Sequence, residues 1–340
     1  MAAGNVAAGP ALVVVGQRLG RFVGDDRGDP PSVFGRLEPV IVVVAPGQGS
    51  QSPGFLSPWV EDPAARRHLE RLGEAADLDL VQLGTEADAD TIRRTELAQP
   101  LIVAAGLVAL AALNRTPTAV AGHSVGEVTA AVAAGVLDET DGMRLIAVRG
   151  RAMAKAAAVR PTGMAAVVGG SEEAVVARLT DLGLTPANRN GAAQIVAAGE
   201  LDALEALKAE PPAGSRVIPL QVAGAFHTEV MRPAVAELRD FAATLTPRNP
   251  SVRLWTNRDG SEVTDGAAFL DLLVGQVASP VRWDRTMESF ADAGITGLIE
   301  LTPAGTLTGL AKRALKGVPT VAVKTPADLP AAQDLLDRTA

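Results

Sequence analysis

Residues 40–51 read VIVVVAPGQGSQ: six apolar residues in a row, Val40 to Ala45, that break into a Pro-Gly-Gln-Gly turn. An uninterrupted apolar run this short suits a strand buried on both faces, and such strands belong to parallel sheets covered by helices. The order strand, glycine turn, helix predicts an α/β protein. Helical periods follow over Asp62–Ala76 and Leu97–Leu113, then a second short strand over Thr118–Ala121. That strand runs into AVAGHSVGEVTAA, residues 119–131, where the pattern changes from strand to helix. Further on, RLWTN and GLIEL supply more strands, and TLTGLAKRALKG a late helix.

The stretch from Met164 to Val222 has a different grammar. MAAVVG reads as a strand and SEEAVVARLTDLG as a helix with a Ser cap and acids in its first turn. ANRNGAAQIVAAG reads as two strands about Asn-Gly, LDALEALKAE as a second helix, and RVIPLQV as a closing strand. The order βαββαβ is that of a ferredoxin-like unit inserted into the larger domain. The expected division is an extension without stable structure over 1–39, a large α/β core over 40–160 and 225–325, the small subdomain over 161–224, and a tail over 326–340.

Composition bounds the chemistry. A chain of 340 residues that is 47% hydrophobic can bury a large core. It has no Cys, which removes disulfides, zinc-thiolate sites and thiol nucleophiles. A net charge of −8 with 3% aromatic residues offers neither a basic face nor stacking rings for nucleic acid. The apolar stretch Leu101–Leu113 is shorter than a membrane span, and the start of the chain makes a poor secretory signal, so the expected location is cytoplasmic.

Gly122-His123-Ser124-Val125-Gly126 matches the G-x-S-x-G nucleophile elbow, in which small flanking residues let strand and helix approach while the serine sits on a sharp turn. The same turn leaves the Val125 N–H at a helix N-terminus, where it can stabilise an oxyanion. A serine nucleophile needs a base, and the chain holds three histidines. His68 lies on the charged face of AARRHLERLGEAA and reads as solvated surface. His123 neighbours the serine in sequence, so its ring points elsewhere, into a packing or hydrogen-bonding role. His227, in VAGAFHTEVM, follows a strand and a Gly-Ala loop and is the best base. In PGQGSQ the backbone N–H of Gln48 is a candidate second oxyanion donor, against the plain reading of a glycine turn.

In this order the motifs resemble the malonyl-CoA:acyl-carrier-protein transacylase family of fatty-acid and polyketide synthesis, from Val40 to about Lys316. PGQGSQ is similar to the family's first motif, GHSVGE (Gly122–Glu127) to its nucleophile motif and GAFH (Gly224–His227) to its histidine motif; TELAQP, QVASPVRW and ELTPAGTLTGLAKR resemble further blocks. The arm before Val40 departs from the family pattern. The resemblance implies a hydrolase-like α/β core with a ferredoxin-like subdomain, Ser124 as nucleophile, His227 as base, and the N–H groups of Gln48 and Val125 as oxyanion hole. It also implies that Gln276 orients the histidine through its main-chain carbonyl. Arg149 matches the family arginine that pairs with the free carboxylate of a dicarboxylic acyl group, a role that suits a fork-shaped cation. Phe226, Met153 and Gln99 are carried over as substrate-pocket residues. Malonyl-CoA and acyl carrier protein are the implied substrate and partner. No resident cofactor is implied, since the carrier brings its own phosphopantetheine, and a monomer is expected. Lys312, Arg313 and Lys316 are candidates for docking the acidic carrier. Two rivals stand beside this reading: a serine hydrolase, either an esterase or a patatin-like lipase using the TDGA of Thr264–Ala267, and an inactive binding module of the same fold. Against the esterase, 113 residues follow His227, which in that family lies near the chain's end.

Overall fold

Nine strands carry the architecture of this computed structural model, which describes residues 39–337. They are β1 (Ile41–Ala45), β2 (Ala119–Gly122), β3 (Thr162–Gly169), β4 (Thr185–Gly191), β5 (Gln194–Glu200), β6 (Ser215–Pro219), β7 (Arg253–Trp255), β8 (Gly297–Glu300) and β9 (Thr320–Ala322). β1 is buried at every position, as a strand in the middle of a covered sheet must be. The large sheet runs β7-β2-β1-β8-β9 with every pairing parallel. Its register sets Ala45 opposite Gly122 and Ala121 opposite Trp255, so the turns that leave β1, β2 and β7 emerge side by side at the carboxyl edge. In open α/β sheets that edge is where ligands bind.

The small sheet is antiparallel in the order β4-β5-β3-β6, the ferredoxin-like arrangement, and it lies inside the expected insertion at residues 162–219. Ser171 caps the helix Glu172–Asp181 by accepting from the Ala174 N–H, as its sequence indicates. β4 is stitched to the core: the Arg189 N–H donates to the Val281 carbonyl at 2.9 Å and the Val281 N–H to the Ala187 carbonyl at 2.8 Å.

The helix read over Leu97–Leu113 begins at Thr95 and reaches 19 residues. By length and composition it could cross a membrane, yet 72% of its most apolar window is buried inside the fold, chiefly against the helix Glu139–Ala157. Where the two helices meet, Gly150 permits the close approach: a Cβ there would stand 3.1 Å from the Glu96 Cα and the Thr95 carbonyl.

Two expectations need correction. Within the expected tail, residues 326–337 are structured: Leu329–Asp337 form a helix that buries Ala332, Leu335 and Leu336 in the main core. β9 is also absent from the sequence reading, since three half-buried residues carry no period. The expectation for the extension over 1–39 lies outside the described residues, which begin at its last position, Pro39.

Candidate active site

The elbow forms because the G-x-S-x-G spacing leaves no room for side chains on either side of the serine. A Cβ on Gly122 would lie 2.1 Å from the Gly126 carbonyl carbon, and one on Gly126 would lie 2.2 Å from the Ala45 carbonyl oxygen. Ser124 between them sits at φ 53°, in the left-handed region that costs a non-glycine residue on the order of 1 kcal/mol. Two backbone anchors hold it there. The His123 N–H donates to the Ala45 carbonyl at 3.0 Å, and the Ser124 N–H donates to Asn257 Oδ1 at 3.0 Å from the turn after β7.

His227 enters from the loop after the small sheet, also at a positive φ of 61°. Its Nε2 lies 2.7 Å from Ser124 Oγ and its Nδ1 lies 2.9 Å from the Gln276 main-chain carbonyl. A carbonyl can only accept, so Nδ1 carries the proton and Nε2 is free to accept the serine hydroxyl's. The ring is 3% exposed, and burial, reinforced by the positive charge of Arg149, pushes its pKa down to about 3. At neutral pH it is an uncharged base in contact with a hydroxyl.

Arg149 is 2% exposed and points from Glu139–Ala157 into this site. Its NH1 donates to Gln99 Oε1 and its NH2 to Gln276 Oε1, each at 2.6 Å, and NH2 also lies 3.4 Å from Ser124 Oγ. Burial lowers its pKa to about 10, with the Glu127 charge opposing the shift, so the guanidinium stays charged at neutral pH. Arg144 and Arg151 of the same helix are exposed on its outer face. Gln99 also donates to Met153 Sδ at 3.4 Å, and Met153 and Phe226 are buried in the same apolar cluster. The backbone N–H groups of Gln48 and Val125 have no protein acceptor among the described residues.

His123 turns away from the serine: its Nε2 meets Asn190 Oδ1 of β4 at 2.9 Å, and its ring packs edge-on to Trp283. His68 corrects the reading of a solvated surface. It is 8% exposed and its Nε2 lies 2.9 Å from Glu139 Oε2 in the first turn of the arginine-bearing helix. A second helix covers this charged helix face, which the one-dimensional pattern does not register. The patatin-like alternative loses its acid, because Asp265 is exposed and caps the helix Gly266–Gln276 through the Ala268 N–H. An acid-backed esterase triad is likewise absent at His227, whose Nδ1 partner is a backbone carbonyl.

Sequence reasoning missed Glu127 and Asn257. Glu127 is 1% exposed; it accepts from the Asn257 N–H at 2.7 Å and from Gln276 Nε2. A signal was present, since Glu127 is the one charged residue in GEVTAAVA, an otherwise buried helix opening. Asn257 carried none.

The chain matches the acyl transferase domain family over residues 42–331. It is 51% identical over 296 residues to the malonyl CoA-acyl carrier protein transacylase of Mycobacterium tuberculosis, covering 85% of this chain and 98% of that protein. The crystal structure of the MCAT of Mycobacterium tuberculosis superposes with a TM-score of 0.84 at 51% identity, over 86% of this chain and 99% of that one. A malonyl-transacylase solved in complex with a holo acyl-carrier protein of a type II PKS superposes with a TM-score of 0.81 at 29% identity, over 87% of this chain and 99% of that one. A parallel core with an inserted ferredoxin-like sheet, a serine elbow met by a neutral histidine, and these matches along nearly the whole of each relative place the chain in the malonyl-CoA:acyl-carrier-protein transacylase family.

Proposed function

We propose that this protein moves a malonyl group from malonyl-CoA to the phosphopantetheine thiol of acyl carrier protein, through a malonyl ester on Ser124. The observation that carries the reading is the placement of one buried, charged guanidinium 3.4 Å from the hydroxyl that His227 holds at 2.7 Å. A generic esterase has no use for a buried cation beside its nucleophile, whereas an acyl group ending in a carboxylate requires one.

In the first half-reaction His227 Nε2 takes the proton of Ser124 Oγ as the oxygen attacks the thioester carbonyl. The developing oxyanion is met by the N–H groups of Val125 and Gln48, which have no protein acceptor of their own among the described residues. Collapse expels the CoA thiolate, which leaves with the proton from His227. In the second half-reaction the carrier thiol gives its proton to His227 and attacks the ester carbonyl; Ser124 Oγ leaves and recovers the proton. Gln276 holds the imidazole in the required tautomer throughout. Arg149 pairs with the malonyl carboxylate, with Gln99 and Gln276 fixing the guanidinium plane. Phe226 and Met153 shape the acyl pocket. Side chains and backbone supply all of this chemistry, so the reading needs no resident cofactor.

The carrier is acidic in this reading, and Lys312, Arg313 and Lys316 are all exposed at the end of the helix Thr306–Ala314. The proposal includes a cytoplasmic monomer that engages neither membrane nor nucleic acid; the burial of the long apolar helix Thr95–Leu113 supports the absence of a membrane contact and the net charge of −8 that of a nucleic-acid contact. The test is an intact mass after mixing with malonyl-CoA. A malonyl increment that Ser124→Ala abolishes and that holo carrier protein removes is expected; an unmodified protein refutes the reading.

A further inference from the structure

Glu127 is a buried carboxylate that the mechanism above does not use. Its two oxygens are committed in different directions. Oε1 accepts from the Asn257 N–H at 2.7 Å, and Oε2 accepts from Gln276 Nε2. Each partner passes the contact to the reacting groups. Asn257 Oδ1 accepts from the Ser124 N–H at 3.0 Å, and Gln276 Oε1 accepts from Arg149 NH2 at 2.6 Å while its Nε2 also donates to the Ser124 carbonyl at 3.1 Å.

The amide of Gln276 has only two orientations, and its neighbours choose between them. Reversed, it would set an NH2 against the guanidinium of Arg149 and an oxygen against both the Ser124 carbonyl and the Glu127 carboxylate, three repulsive pairs in a buried space. Glu127, an acceptor, joins Arg149 and the Ser124 carbonyl in fixing which end of the amide faces Arg149. Burial pushes the Glu127 pKa up, and the hydrogen bonds it accepts, that of Asn257 foremost, oppose the shift.

We propose that Glu127 is the positioning residue of this site: through Gln276 it holds Arg149 where a substrate carboxylate is received, and through Asn257 it holds the serine turn, so that it sets the preference for acyl groups with a free carboxylate. This rests on the malonyl reading above. The carboxylate, 1% exposed, borders an internal void. A cavity of about 200 Å³ is lined by Glu127, Asn257 and Gln276 on the inside and by Arg239 and Asp271 towards the surface. Formate is small enough to enter it.

The experiment compares single-turnover acylation by malonyl-CoA and acetyl-CoA in the full chain and three variants, with thermal melting as the check on folding. Glu127→Gln keeps an oxygen for the Asn257 N–H and replaces the other with an NH2 facing Gln276. Its malonyl rate is expected to fall roughly ten- to hundredfold, the range for a lost hydrogen bond to a charged group, with a change of less than about threefold for acetyl. Glu127→Ala loses both arms and slows with both substrates, and added formate is expected to raise its malonyl rate at least about tenfold. Arg149→Ala is run alongside. If it keeps the malonyl preference, the malonyl reading itself is wrong; if it loses that preference while Glu127→Gln keeps the parent's malonyl-to-acetyl ratio, the positioning proposal alone is overturned. Formate that leaves Glu127→Ala unchanged also overturns it. The formate arm decides the matter where Glu127→Gln does not fold.

Discussion

Replacing Arg149 with alanine separates a dicarboxylic acyltransferase from every other serine enzyme that this elbow could serve. The guanidinium is 2% exposed, is held at 2.6 Å by each of two glutamines, and reaches within 3.4 Å of Ser124 Oγ. A malonyl group on that serine places its carboxylate in a site from which water is largely excluded. With the cation gone, the anion is left unpaired, and truncating one partner of a buried charge pair costs about 2 to 5 kcal/mol. That is about thirtyfold to several thousandfold in kcat/KM at 1.36 kcal/mol per decade. An acetyl group has no carboxylate, so its reaction loses nothing by the substitution and gains from the removal of a cation beside a methyl group. The assay is kcat/KM for malonyl-CoA and acetyl-CoA with holo carrier protein as acceptor, with the melting temperature measured in parallel. The substitution also strands the Oε1 atoms of Gln99 and Gln276 and deprives Glu127 of its counter-charge, so some loss of stability is expected. Selectivity moving from malonyl towards acetyl is the diagnostic result. Equal loss with both substrates assigns Arg149 to folding, and an unchanged malonyl preference removes it from the site.

The pKa of His227, pushed down to about 3 by burial and by Arg149, predicts that the acylation rate shows no acid limb near pH 6.5. An inflection there in single-turnover rates assigns the base a solvent-like pKa and contradicts the buried geometry. The same shift has a stability consequence: between pH 6.5 and about 3 the unfolded chain binds a proton that the folded one does not, so stability drops as the pH is lowered through that window, by about 1.4 kcal/mol per unit at most. Melting of the parent should decline more steeply on acidification than melting of His227→Gln, and parallel curves count against the shift. Gly126→Ala should abolish acylation, because its Cβ would fall 2.2 Å from the Ala45 carbonyl oxygen; a variant with a normal malonyl adduct means the elbow is looser than described. Charge reversal at Lys312, Arg313 and Lys316 should raise KM for the carrier protein more strongly as salt falls, and leave the first half-reaction unchanged; an unaltered KM discards the patch.

Much of the site was legible in the sequence because it is built from local rules. The apolar run before PGQGSQ can satisfy its backbone only in a covered sheet, and the glycines of GHSVG are demanded by backbone contacts at the turn itself. The βαββαβ order of the small sheet follows from caps, turns and alternation that each act over a few positions. Arg149 could be singled out only by resemblance to a known motif. Nothing in RLIAVRGRAM distinguishes it physically from Arg144 and Arg151.

What the sequence determined by itself, then, was eight of the nine strands, which turn is sharp, and which side chains have the chemistry of nucleophile and base. The tertiary structure alone decided which of those side chains meet. The partners of Arg149 lie 50 and 127 residues away, and Glu127 reaches Asn257 and Gln276 across 130 and 149 residues. The burial of His68 against Glu139 and the packing of the helix Leu329–Asp337 are decisions of the same kind. Secondary structure is specified by steric and hydrogen-bonding preferences of neighbouring residues. A buried polar network is specified by whether every donor finds an acceptor once helices and sheet edges have packed, and that condition exists only in three dimensions.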